Sequence, residues 1–89
     1  MELELNQLIW DDFNSKHIAK HNVSKEEVIE ASDNYQLVME ADNKRLLLIG
    51  RTEEKRWLSI VLERVSEGSY YVVTARDSSR KERRLVNEK

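Results

Sequence analysis

Residues 35–76 read YQLVMEADNKRLLLIGRTEEKRWLSIVLERVSEGSYYVVTAR, and this stretch decides the fold. Four runs inside it, residues 35–40, 44–50, 56–65 and 70–76, are rich in leucine, β-branched and aromatic residues, which suit a pleated, half-buried surface. Between the runs stand Ala41-Asp42-Asn43, Thr52-Glu53-Glu54-Lys55 and Ser66-Glu67-Gly68-Ser69. Connections this short cannot carry a parallel crossover, so the spacing predicts four antiparallel strands in a meander. In the third run Leu58, Ile60 and Leu62 point to one face, while Trp57, Ser59, Val61 and Glu63 point to the other. One face is expected to carry the helices and the other to stay partly open.

Upstream of the strands the texture is helical. Asp11 reads as an N-cap, opening a helix that runs to about His21. Asn22 ends it, because asparagine tolerates the left-handed conformation of a helix stop. Ser24 and Glu27 then form an S-x-x-E capping box, and Val23 and Val28 are spaced for a hydrophobic staple. Val28, Ile29 and Ala31 give this second helix a core face, and it stops by Asp33-Asn34. Residues 7–10 are apolar enough for a short first strand or a packed entry segment. Downstream, Ser79 and Glu82 repeat the capping box and open a last helix whose only apolar residues are Leu85 and Val86. A helix so short needs docking or a partner. The expected fold is therefore α+β, with two N-terminal helices, a four-stranded antiparallel meander and a short C-terminal helix.

A chain of 89 residues is expected to form a single domain over 1–89, burying about 60% of its unfolded surface. Hydrophobic residues at 39% beside 36% charged fit a globular chain and not a disordered one. No cysteine means no disulfide framework and no thiolate zinc site, which fits a reducing compartment. The longest apolar run, Leu46 to Ile49, is far below a membrane span of about 20 residues. Met1-Glu2-Leu3-Glu4 lacks the basic start of a signal peptide, so a cytoplasmic location is expected.

The net charge of −2 hides an asymmetry. Residues 1–44 carry ten acidic side chains and four lysines, a balance of −6; residues 45–89 carry eleven basic and seven acidic ones, a balance of +4, and all eight arginines. The pattern suits one face for an anionic partner and another for a cationic one, or a plain solvated surface.

Several residues can carry chemistry. His17 and His21, at i and i+4, share a helical face as paired zinc ligands do, but no third ligand accompanies them. Packing at a sheet edge explains them better than metal, and acid–base use of one imidazole lies between. Arg76 closes a strand, and Arg80, Lys81, Arg83 and Arg84 follow on the last helix, with Arg80, Arg83 and Arg84 at i, i+3 and i+4. A strand end, free amides at a helix start and bidentate guanidinium make a phosphate site. The same arginines also suit a solvated helix end. Arg51, Glu63 and Arg64 lie near strand ends, where functional groups sit on a rigid scaffold. Glu63 and Arg64 are adjacent and point to opposite faces unless a bulge intervenes. Trp57, Tyr70 and Tyr71 are core aromatics or base-stacking groups. Two glycines in the whole chain exclude a P-loop cradle.

Three segments together resemble one family. Ile9-Trp10-Asp11 with Asn14, then Lys20-His21-Asn22-Val23-Ser24-Lys25-Glu26-Glu27, is similar to the opening of BrnT-family toxins, which read Lys-His-Gly-Val-Ser with a Glu-Glu pair. Leu48-Ile49-Gly50-Arg51 resembles their central segment. Val72-Val73-Thr74-Ala75-Arg76, leading to Ser79-Arg80-Lys81-Glu82-Arg83-Arg84, resembles their Ser-Ala-Arg, Thr-Arg-x-Glu-Arg-Arg ending. The likeness runs from about Leu8 to Arg84, with Asn22 standing where glycine is usual. It implies a RelE-like fold, metal-independent RNA cleavage with no cofactor, an RNA substrate and neutralisation by a cognate antitoxin. Carried over by position, the site residues are Lys20, His21, Arg51, Arg76 and Arg80, with Glu63 and Arg64 more loosely matched. Under that resemblance Arg76 and Arg80 stabilise phosphate, His21 or Lys20 handles a proton, and Arg64, Lys81, Arg83 and Arg84 bind the nucleic acid. A pI near 5.7 is low for such a task. The alternative is a non-catalytic binding module of the same fold.

Overall fold

The computed structural model describes residues 5–87, so Met1-Glu2-Leu3-Glu4 lies outside the described residues. Its elements are β1 (Gln7–Ile9), α1 (Asp12–Ala19), α2 (Lys25–Asp33), β2 (Tyr35–Glu40), a 3-10 turn (Asp42–Lys44), β3 (Arg45–Arg51), β4 (Trp57–Ser66), β5 (Ser69–Asp77) and α3 (Arg80–Asn87). Strands β2 to β5 form the antiparallel meander that the short connections dictate. The sheet nevertheless has five strands and is mixed, in the order β1-β5-β4-β3-β2. Residues 7–9 pair parallel to β5, Leu8 opposite Tyr70. Of the two readings open for residues 7–10, a short first strand or a packed entry segment, the strand is the one that forms, over Gln7–Ile9. Three residues carry too little periodic signal to reveal its parallel pairing with a partner about sixty positions away in sequence. Tertiary bonds fix this edge: the amides of Asn6 and Gln7 both donate to the Gly68 carbonyl at 2.9 Å.

The helices begin where side chains satisfy their free amides. At α1, Asp11 accepts from the Asn14 amide and Asn14 Oδ1 accepts from the Asp11 amide, both at 2.9 Å. Asn14 is fully buried, and its Nδ2 donates to the Ile9 carbonyl, tying the helix start to β1. Ser24 and Glu27 close the box at α2 at 3.0 and 3.1 Å. Both valines of the expected staple, Val23 and Val28, are buried. Asn22 takes φ 58°, the left-handed stop between the two helices.

Leu48, Leu58, Ile60, Leu62, Val72 and Ala75 form the buried sheet side of the core beneath Ile18, Val28 and Ala31. Gly50 sits directly under α2, where a Cβ would overlap the carbonyl of Ala31. The two N-terminal helices share this face, but α3 does not join them. It packs on β2 and β3 from the opposite side, above Ile49 and Ser59, which are buried at 0% and 1% exposure. The face expected to stay open is thus half covered.

Candidate functional site

On its α3 face, one end of the sheet gathers five of the eight arginines. Register places Arg51 opposite Trp57 and Ser59 opposite Arg76, all on the α3 face. The Arg51 guanidinium lies over the Trp57 ring, 5.1 Å from its centre, and its Nε donates to the Lys55 carbonyl at 3.3 Å. Above them, α3 divides into two stripes. Glu82, Leu85 and Val86 are half-buried, turned to the sheet, whereas Arg80, Arg83, Arg84 and Asn87 recur at i, i+3, i+4 and i+7. Together with Trp57 those four residues line a cleft of about 340 Å³.

Glu82 joins the two layers. Its carboxylate takes a bidentate pair from Arg76, 2.7 Å from one terminal nitrogen and 2.9 Å from the other. It also accepts from Ser59 Oγ at 2.9 Å and from the Ser79 amide at 2.8 Å. Ser59 Oγ lies 2.8 Å from Ser78 Oγ, so a hydroxyl pair underlies the ion pair. The Arg76 guanidinium holds the Glu82 carboxyl down at about 2 against the opposing effect of burial, with the Ser79 amide and Ser59 adding to it. Arg76 is in turn raised by Glu82. Nothing in the local sequence marks Ser59 as functional, and Glu82 reads there only as a helix cap; the tertiary fold gives both a second role.

Lys20 and His21 lie behind the sheet. Both are exposed at the end of α1, and the His21 ring meets His17 edge-on at 5.5 Å, with Phe13 parallel to His17 beyond it. Among the described residues no group of three potential ligands assembles for a metal. The His21 and Asn22 carbonyls accept from Arg56, a residue the sequence reading passed over. Arg56 also pairs with both Glu27 oxygens and, through Nε, with Asp77 at 2.7 Å. One guanidinium therefore clamps the α1 stop, the α2 cap and the end of β5. Asp77 is lowered by this bond; Glu27, which burial would raise, is held low by the Ser24 amide and Arg56. Arg56 directly precedes Trp57, so Lys20 and His21 occupy the same end of the sheet as the arginine cluster, on the other face.

Glu63 and Arg64 are not part of this end. Glu63 pairs in register with Arg45 and Tyr71, four residues from Ser59, or about 13 Å along the strand. Its carboxylate lies 3.8 Å from Arg45 in an exposed ion pair. Arg64 is exposed opposite Tyr70, which is buried in the core. The irregularity in β4–β5 pairing between Arg64 and Ser66 comes after both residues and does not bring them together. Lys81 is exposed on α3.

This architecture has a known counterpart. The crystal structure of the Brucella abortus ribonuclease toxin BrnT superposes with a TM-score of 0.62, covering 83% of this chain and 97% of the toxin at 22% identity. The chain has the BrnT fold. No protein-family model and no curated protein sequence matches it. At that identity the likeness to BrnT concerns the fold alone.

Proposed function

We propose that this chain is a toxin-like endoribonuclease of a toxin–antitoxin pair, cleaving RNA without a metal. The observation that carries the reading is the arginine cluster, Arg51, Arg76, Arg80, Arg83 and Arg84, at one sheet end of a fold shared with a ribonuclease toxin. In such a cleavage the ribose 2′-oxygen bonds to phosphorus as the bond to the 5′-oxygen breaks. A base takes the hydroxyl proton, and an acid returns one to the leaving oxygen. Fixed guanidinium groups suit the charge that builds on the phosphoryl oxygens. Arg80 is exposed for that task, and Arg76, two-fifths exposed, is oriented by Glu82. Proton transfer falls to Lys20 or His21, which serve the same phosphate as the arginines when it sits at the end of the sheet, between the two faces. The acidic N-terminal half and the basic C-terminal half offer an antitoxin complementary surfaces.

One observation favours a second reading, a non-catalytic module that binds a polyanion. Glu82 is the carboxylate inside the cluster, and a group ionised down to about 2 is a weak base. Expression of the chain alone, and together with its neighbouring gene, separates the two readings. Growth arrest with RNA fragmentation, relieved by the neighbour and abolished by Arg80→Ala, supports the toxin. Harmless expression with intact RNA, beside salt-sensitive RNA binding by the purified protein, supports the module.

A further inference from the structure

We propose that the cleft between Trp57 and α3 is a subsite for one unpaired nucleotide, which makes the ligand class single-stranded RNA and not duplex. The proposal deepens the RNA-directed reading above and rests on it. Its basis is the composition of the cleft walls. A volume of about 340 Å³ stands at the small end of ligand pockets, where a single nucleotide fits and a base-paired helix does not. Three walls are guanidinium groups, Arg80, Arg83 and Arg84, spaced along one helical stripe so that all three meet the same volume. Guanidinium offers paired donors to phosphate oxygens and stays charged at any working pH. Phosphate alone would need nothing more.

The remaining walls point to a base. Trp57 contributes an indole, held in place by Arg51 over its ring. Base–aromatic contact tolerates any base and demands that the base leave its own stack. Asn87 adds an amide, with donors and an acceptor that can meet a base edge. Aromatic, amide and cations thus surround one small volume, and the nucleotide is the ligand chemistry that uses all three. Arg51 is thereby a positioning residue for Trp57, since its guanidinium is already engaged by the ring and the Lys55 carbonyl.

Trp57 itself reports on the site. The chain has one other tryptophan, Trp10, so a Trp10→Phe protein gives the emission of Trp57 alone. Titration with adenosine and uridine monophosphates is expected to quench that emission saturably. Ribose 5-phosphate and inorganic phosphate, which lack the base, are expected to bind at least about tenfold more weakly. Calorimetric titration of the unaltered chain with the same four ligands answers the question without any substitution. Trp57→Phe should keep nucleotide binding, while Trp57→Leu and the pair Arg83→Gln with Arg84→Gln should each weaken it about tenfold or more, with melting curves checked for folding. The proposal is overturned if the mononucleotides leave both signals unchanged, or if inorganic phosphate binds as well as they do. It is equally overturned if a hairpin duplex competes as strongly as an unpaired oligonucleotide. None of these readouts requires cleavage. Mononucleotide binding in a protein that leaves RNA intact would sink the endoribonuclease reading and keep the subsite; RNA cleavage with a silent cleft would do the reverse.

Discussion

Replacing Glu82 by glutamine tests the junction between α3 and the sheet. The carboxylate bonds Arg76 twice, Ser59 once and the Ser79 amide once, with its side chain only 14% exposed. A carboxyl whose ordinary value is 4.5 and whose folded value is about 2 stabilises the fold at neutral pH. Each pH unit is worth about 1.4 kcal/mol, giving about 3 kcal/mol in all. Arg76 is 42% exposed, so solvent screening trims the figure to about 2 kcal/mol. For a chain of this size that corresponds to a fall in melting temperature of about 10 °C. The sign with pH follows from the lowered value. The stabilisation is complete above about 4.5 and disappears as pH falls through the folded value near 2. Urea unfolding of the parent chain and Glu82→Gln, followed by circular dichroism at pH 7, 4 and 2, therefore shows a gap that is full at pH 7, narrower at pH 4 and mostly closed at pH 2. A gap below about 0.5 kcal/mol at pH 7, or one that does not change between pH 7 and pH 2, would refute the reasoning.

Three further outcomes follow from the same packing. Gly50→Ala drives a methyl into the Ala31 carbonyl, so soluble yield should collapse, or stability fall by more than about 3 kcal/mol in chemical denaturation. Arg56→Met removes one guanidinium from Glu27, Asp77 and the Asn22 carbonyl together, and should cost about 2 kcal/mol, with Arg56→Lys recovering less than half because an ammonium cannot span all three; thermal melts at low and high salt measure both. Changing Arg80, Arg83 and Arg84 to glutamine should lower the slope of log affinity against log salt for single-stranded RNA by about 2, read by filter binding, while leaving the melting temperature within about 3 °C because all three are exposed.

What the sequence determined by itself was everything governed by near neighbours. The capping boxes at Ser24–Glu27 and Ser79–Glu82, the left-handed stop at Asn22 and the antiparallel pairing of residues 35–76 all depend on contacts within a few positions or across short turns. The arginine stripe of α3 was equally legible, since helical periodicity alone sets it. Tertiary structure decided the rest. Only long-range pairing turns residues 7–9 into an edge strand, because a three-residue run has no pattern of its own. Which face α3 takes depends on the whole sheet, and that choice converts a cap residue, Glu82, into the partner of Arg76. The same packing puts Lys20 and His21 behind the sheet and leaves Glu63 and Arg64 well along β4 from the arginine cluster. Side chains distant in sequence meet only when the chain has folded, and no local rule records the meeting. The helix beginning at Ser79 was visible from its cap; the cleft it makes with Trp57 was not.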